Sequence, residues 1–92
     1  MSADATPRER YRVRRYAESL RPVLRADSVR VDKLAHVVVK RRFKLGEEDL
    51  LVTWPGHVVR TLGPAGEAYA CKETRDPKGY RVLEVKVRPE IR

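Results

Sequence analysis

Between Tyr80 and Pro89, apolar and charged residues alternate: Leu83, Val85 and Val87 against Glu84, Lys86 and Arg88. A period of two puts the aliphatic side chains on one face of a strand and the charges on the other. Pro89 stops the ladder because it has no N–H to give. A strand of this kind belongs to a sheet with one covered face, and the rest of the chain has to provide its neighbours and its cover.

The clearest cover is a helix opening at Thr6-Pro7-Arg8-Glu9. Thr6 can cap, Pro7 suits the first helical position, and Glu9 three residues on completes a capping box. At helical spacing Val13, Tyr16, Ala17, Leu20, Val23 and Leu24 share an arc of about 120°. Arg8, Arg12 and Arg15 form one stripe outside it, and Arg10, Arg14, Arg21 and Arg25 another, with Tyr11 between. Pro22 is expected to end or kink the helix.

Further along, Asp27-Ser28 and Asp32 offer breaks and caps. Val31, Leu34, Ala35 and Val38 then follow helical spacing towards Lys44, and Gly46 stands where a helix C-terminal glycine belongs. Helix is the preferred reading of 31–44, with a strand as the alternative because of the three consecutive valines. Glu47-Glu48-Asp49 suits the start of a short helix through Trp54, ended by Pro55-Gly56. The remainder reads as β structure. His57–Leu62 is one candidate strand, followed by a turn at Gly63-Pro64-Ala65-Gly66. Glu67–Glu73 is a second strand, then come a turn at Asp76-Pro77-Lys78-Gly79 and the alternating strand Tyr80–Arg88.

The expectation is a single α+β domain over residues 1–92, with a helical basic half at about 7–54 and a small antiparallel β-meander at about 57–88. Two or three helices come first. They either lie on one face of the sheet or form a winged-helix-like arrangement with the 67–88 hairpin as the wing. Three carboxylates at 47–49 argue against the second option, since they would open the recognition helix. No internal repeat stands out.

The charge is lopsided. Residues 1–46 hold thirteen Lys and Arg against five acids, and residues 47–92 hold eight of each, so the formal +8 belongs to the N-terminal half. Fifteen of the 21 cations are Arg, which pairs with phosphate bidentately and stacks on flat rings. This is the electrostatic footprint of a nucleic-acid binder. Asn and Gln are absent altogether. Their loss suggests a thermophilic source, and it also removes the usual readers of adenine. Recognition is therefore expected to rest on phosphate and shape, with weak sequence specificity and no choice yet between DNA and RNA.

The candidate contacts are Arg8, Tyr11, Arg12, Arg14 and Arg15 on the first helix, then the run Lys40, Arg41, Arg42 and Lys44. Arg75 and Lys78 at a hairpin tip, with Lys72 and Arg81 on its arms, complete the set. Tyr11 is a candidate for stacking on an unpaired base. Trp54 reads as a core anchor, His36 as a residue bordering the core, and Cys71 as a small buried side chain.

Other classes find little support. No apolar run approaches the length of a membrane span, and a cytoplasmic protein is expected. A lone cysteine excludes a disulfide framework within the chain. His36 and His57 lack a ligand cluster, so no metal is expected. With no phosphate loop or nucleophile motif, neither are a cofactor, a small-molecule substrate or catalytic residues. One alternative is an interaction subunit, which could dimerise through the Tyr80–Arg88 edge. A less favoured one is a metal-independent ribonuclease using His57, Arg60, Tyr80 and Arg81, should strand pairing bring His57 near Tyr80.

Overall fold

The structure, a computed structural model, describes residues 4–63 and 68–90. A helix followed by a strand pair occurs twice: α1 (Pro7–Leu24), β1 (Ser28–Val31), β2 (Val37–Phe43), α2 (Glu48–Leu62), β3 (Ala70–Arg75) and β4 (Arg81–Val87). The fold is α+β, with two helices and one four-stranded antiparallel sheet in the order β1-β2-β4-β3.

α1 starts where its cap signals put it. Thr6 Oγ1 accepts the Glu9 N–H at 3.1 Å, and the same hydroxyl donates to the Glu9 carboxylate, which takes the place of the usual return bond to the cap N–H. Pro22 falls in the last turn, and Arg25 closes the helix in the left-handed region at φ 52°.

Residues 31–44 are not a helix. They contain the end of β1, a turn and β2. Asp32 builds the turn, its carboxylate accepting the N–H groups of Leu34 at 2.9 Å and His36 at 2.8 Å. Beyond the turn, Val37, Val39 and Phe43 are buried on one face while Lys40 and Arg42 are exposed on the other. A strand sorts these residues cleanly, and the β-branched valines favour it. Gly46, at φ 94°, serves the β2–α2 turn instead of ending a helix.

The second correction lies in α2. The helix runs straight through Pro55-Gly56 to Leu62, so His57–Leu62 is helical and not a strand. An interior proline costs about 3 kcal/mol. Continuing the helix carries Val58 and Leu62 to full burial beside Leu51 and Trp54. Each such side chain contributes about 1.5–3 kcal/mol, enough to outweigh the missing hydrogen bond.

The third correction concerns the halves. β1 and β2 come from the basic half, so the sheet is two hairpins joined along β2–β4 and not a C-terminal meander. β4 is interior, paired with β2 on one side and β3 on the other, so the Tyr80–Arg88 strand offers no free edge; the edges are β1 and β3. The expected second strand lies at 70–75, later than the 67–73 reading, and the expected turn at residues 64–66 lies outside the described residues. The Asp76–Tyr80 turn forms as expected, with the Asp76 carboxylate accepting the Lys78 and Tyr80 N–H groups and Gly79 at φ 89°.

Both helices cover one face of the sheet, and their buried residues form a single core with Val37, Val39, Phe43, Leu83, Val85 and Val87. Trp54 anchors it as expected. It is 4% exposed, packs edge-on against Phe43 at 5.6 Å and donates its indole N–H to the Leu24 carbonyl at 2.9 Å. Cys71 departs from expectation. It is exposed, because β3 is an edge strand with every residue exposed. Among the described residues, no helix is long and apolar enough to cross a membrane.

Candidate nucleic-acid interface

α1 lies on the sheet through Val13, Ala17 and Leu24. Residues half a turn away therefore point from the sheet into solvent. Arg8, Tyr11 and Arg15 lie there, with Arg12 and Arg14 on opposite flanks of the helix; all five are exposed, and Tyr11 keeps 60% of its surface. Among the described residues, none of these four arginines has a carboxylate within 4.0 Å; the one ion pair on α1 is Arg21 with Glu18, at 3.9 Å. Arg10, nearer the core, is half-buried and its Nε is enclosed without a hydrogen-bond partner among the described residues. Tyr16, the other tyrosine of α1, is half-buried and its hydroxyl donates to the Thr61 carbonyl at 3.3 Å.

The second candidate set does not stay together. Strand alternation sends Lys40 and Arg42 to the uncovered face of the sheet and Arg41 to the helix-covered face. Arg41 is half-buried, 3.8 Å from Glu47, with its guanidinium 4.6 Å from the centre of the Phe43 ring. Its neighbour Arg42 lies 5.0 Å above the Tyr80 ring and 3.6 Å from Asp76. The four cations of residues 40–44 are thus not one patch, since Lys40 stands apart on the open face. At the end of the strand Arg41, Arg42 and Lys44 meet Arg25 around a cleft of about 350 Å³, where Asp27 and Glu47 offset two of the four charges. Arg75 ends β3 opposite Arg81, and Lys78 sits exposed at the hairpin tip.

The open face holds cations that local sequence did not single out. Arg30 faces Glu84 at 3.7 Å and Lys86 lies 2.9 Å from Asp32. Lys40, Glu84 and Lys72 stand side by side in register across β2, β4 and β3. For Arg30 the signal was its alternation with Val29 and Val31, readable only once 28–43 is known to be two strands.

At one end of this face Asp32, His36, Lys86 and Tyr69 gather. His36 is half-buried beside the Tyr69 ring, 4.7 Å between centroids, with Nδ1 3.2 Å from the Asp32 carboxylate. Burial opposes ionisation of Asp32, but the Lys86 ammonium and the His36 and Leu34 N–H groups outweigh it and hold its pKa down at about 2. No group of three or more His, Cys, Asp or Glu that could hold a metal occurs among the described residues. His57, being helical, lines a cleft between α1 and α2 with Val23, Arg25 and Trp54, and no strand pairing brings it to Tyr80.

The chain matches no protein-family model, no curated protein and no solved structure.

Proposed function

We propose that this chain is a non-enzymatic nucleic-acid-binding protein that grips the phosphate backbone with the outward face of α1 and reads sequence weakly. One observation carries the reading. Arg8, Arg12, Arg14 and Arg15 stand exposed on one helix without a carboxylate within 4.0 Å among the described residues, whereas Arg21, Arg30, Arg41, Arg42, Arg81 and Lys86 each have one. Arginines left unpaired by their own fold are free to displace counterions from phosphates. Tyr11, between the two arginine stripes, is available to stack on a base or a ribose. DNA and RNA both fit this chemistry, and a cytoplasmic site of action goes with it. A winged-helix mode gains nothing from the hairpin, whose strand β4 is built into the sheet centre.

A protein-docking role has the exposed β3 edge in its favour. Lys72, Glu73 and Arg75 along that edge oppose strand addition.

The test is fluorescence anisotropy with matched single- and double-stranded DNA and RNA across a salt series. Binding should weaken steeply with salt, and Arg8→Ala/Arg12→Ala/Arg15→Ala should reduce the log–log slope by about 3, close to one for each arginine withdrawn from a phosphate. An unchanged slope removes α1 as the interface.

A further inference from the structure

We propose that the open face of the sheet is a second phosphate-binding surface, seated by a second duplex, so that one molecule bridges two nucleic-acid segments. The inference rests on the assignment of α1 to the first segment and goes beyond it. The two surfaces are opposed: α1 covers one face of the sheet and points its arginines outward, while Lys40 and Lys72 project from the other face. The molecule measures 40 × 23 × 21 Å, so a straight duplex seated on α1 has the whole helix-on-sheet thickness between it and Lys40 or Lys72.

The charge on the open face suits a polyanion. Glu84 is the one acid among its strand positions, and Arg30 at 3.7 Å offsets it. Asp32 and Asp76 at the ends of the face offset Lys86 and Arg42, which leaves Lys40 and Lys72 as the surplus charge. Lys40 and Lys72 flank Glu84 in register without a carboxylate within 4.0 Å among the described residues. They stand two strand spacings apart, about 10 Å, on either side of a shallow depression that Thr74 also lines. None of the strand positions on this face is aromatic, and Tyr80 lies at its rim beneath Arg42. Tyr69 and His36 stand at the other end of the face. Between Lys40 and Lys72 the lining is Thr74, Val82 and Glu84, so the occupant there meets the protein through its phosphates, as the exterior of a duplex does.

The experiment uses the full chain and whichever duplex, DNA or RNA, it binds in the anisotropy series. That duplex is fixed to beads, protein is added, and a second, fluorescent copy is supplied after washing. The native chain should retain the second duplex. Lys40→Thr/Lys72→Thr, which keeps strand-forming side chains, should carry the first duplex and lose retention of the second. Circular dichroism checks its fold, and Lys40→Gln/Lys72→Gln replaces it should the threonine pair not fold. A native chain that binds one duplex and never retains another overturns the bridging inference and leaves the α1 reading standing. Equal bridging by native and variant chains overturns it too, by assigning the link to another face or to self-association. Binding of single strands alone overturns bridging of duplexes and leaves the α1 reading standing, and binding of no nucleic acid at all overturns both.

Discussion

The indole N–H of Trp54 donates to the backbone carbonyl of Leu24, 2.9 Å away across thirty residues of chain. That carbonyl belongs to the last turn of α1, where acceptors have no partner within the helix. One bond therefore caps α1 and holds α2 against it. Trp54→Phe keeps an aromatic ring against Phe43 but strands the Leu24 acceptor and leaves a void. The expected loss is about 2 kcal/mol, read from urea denaturation followed by circular dichroism. A loss below about 0.5 kcal/mol would show that this bond contributes nothing net.

Acid should weaken the fold through Asp32. Its folded pKa of about 2 lies below the ordinary aspartate value of 3.8. A depressed carboxyl stabilises the folded state above the unfolded pKa, and that contribution disappears as pH falls towards the folded one. Between pH 5 and pH 2 roughly 2 kcal/mol should be lost from this group. Asp32→Asn keeps an acceptor for the turn N–H groups but loses the charge facing Lys86, so it should be less stable at pH 7 and lose less on acidification. An identical pH profile in the variant would contradict the assignment.

Pro55→Ala tests the account of α2. The substitution restores a backbone N–H one turn after Leu51 and removes the ring's clash with the Leu51 carbonyl. Stability should rise by about 1–3 kcal/mol. A fall would mean that the core is fitted to a proline-distorted helix.

Arg41 and Arg12 should part company. Arg41 is half-buried between Glu47 and Phe43, so Arg41→Ala should lower the urea midpoint by the equivalent of about 1 kcal/mol and leave the salt slope of nucleic-acid binding alone. Arg12→Ala should do the reverse, reducing the slope by about 1 with little change in stability. If both variants move the slope equally, the sorting of cations by strand alternation has no functional meaning.

The first helix was legible because its signals are local: a threonine cap, Pro7, Glu9 and an apolar arc. The stretch 28–43 misled for a specific reason. Val38 is apolar like Val37 and Val39, so the period of two vanishes where it is needed, and Val31, Leu34, Ala35 and Val38 imitate a helix. Val38 is indeed buried at 3% exposure, but on the open face, between Arg30 and Lys86 in register and outside the core cluster. Pro55-Gly56 misled because a local breaker says nothing of the burial awaiting Val58 and Leu62. The arginine array on α1 could be read from composition and helical spacing. Which cations are neutralised could not, because Arg30 meets Glu84 and Arg42 meets Asp76 only through the strand order.

The β2–β4 seam has a further consequence, for the order in which the chain can fold. Its register joins Phe43 to Arg81 and Val37 to Val87, separations of 38 and 50 residues, whereas each hairpin closes over a short turn. Leu83, Val85 and Val87 follow every other member of the core in chain order, yet they complete the wall on which both helices rest. Until they arrive, α1 and the first hairpin expose an unfinished apolar face together with nearly all of the surplus positive charge. A nascent chain in that state sits beside ribosomal RNA, so polyanions are expected to influence its folding rate.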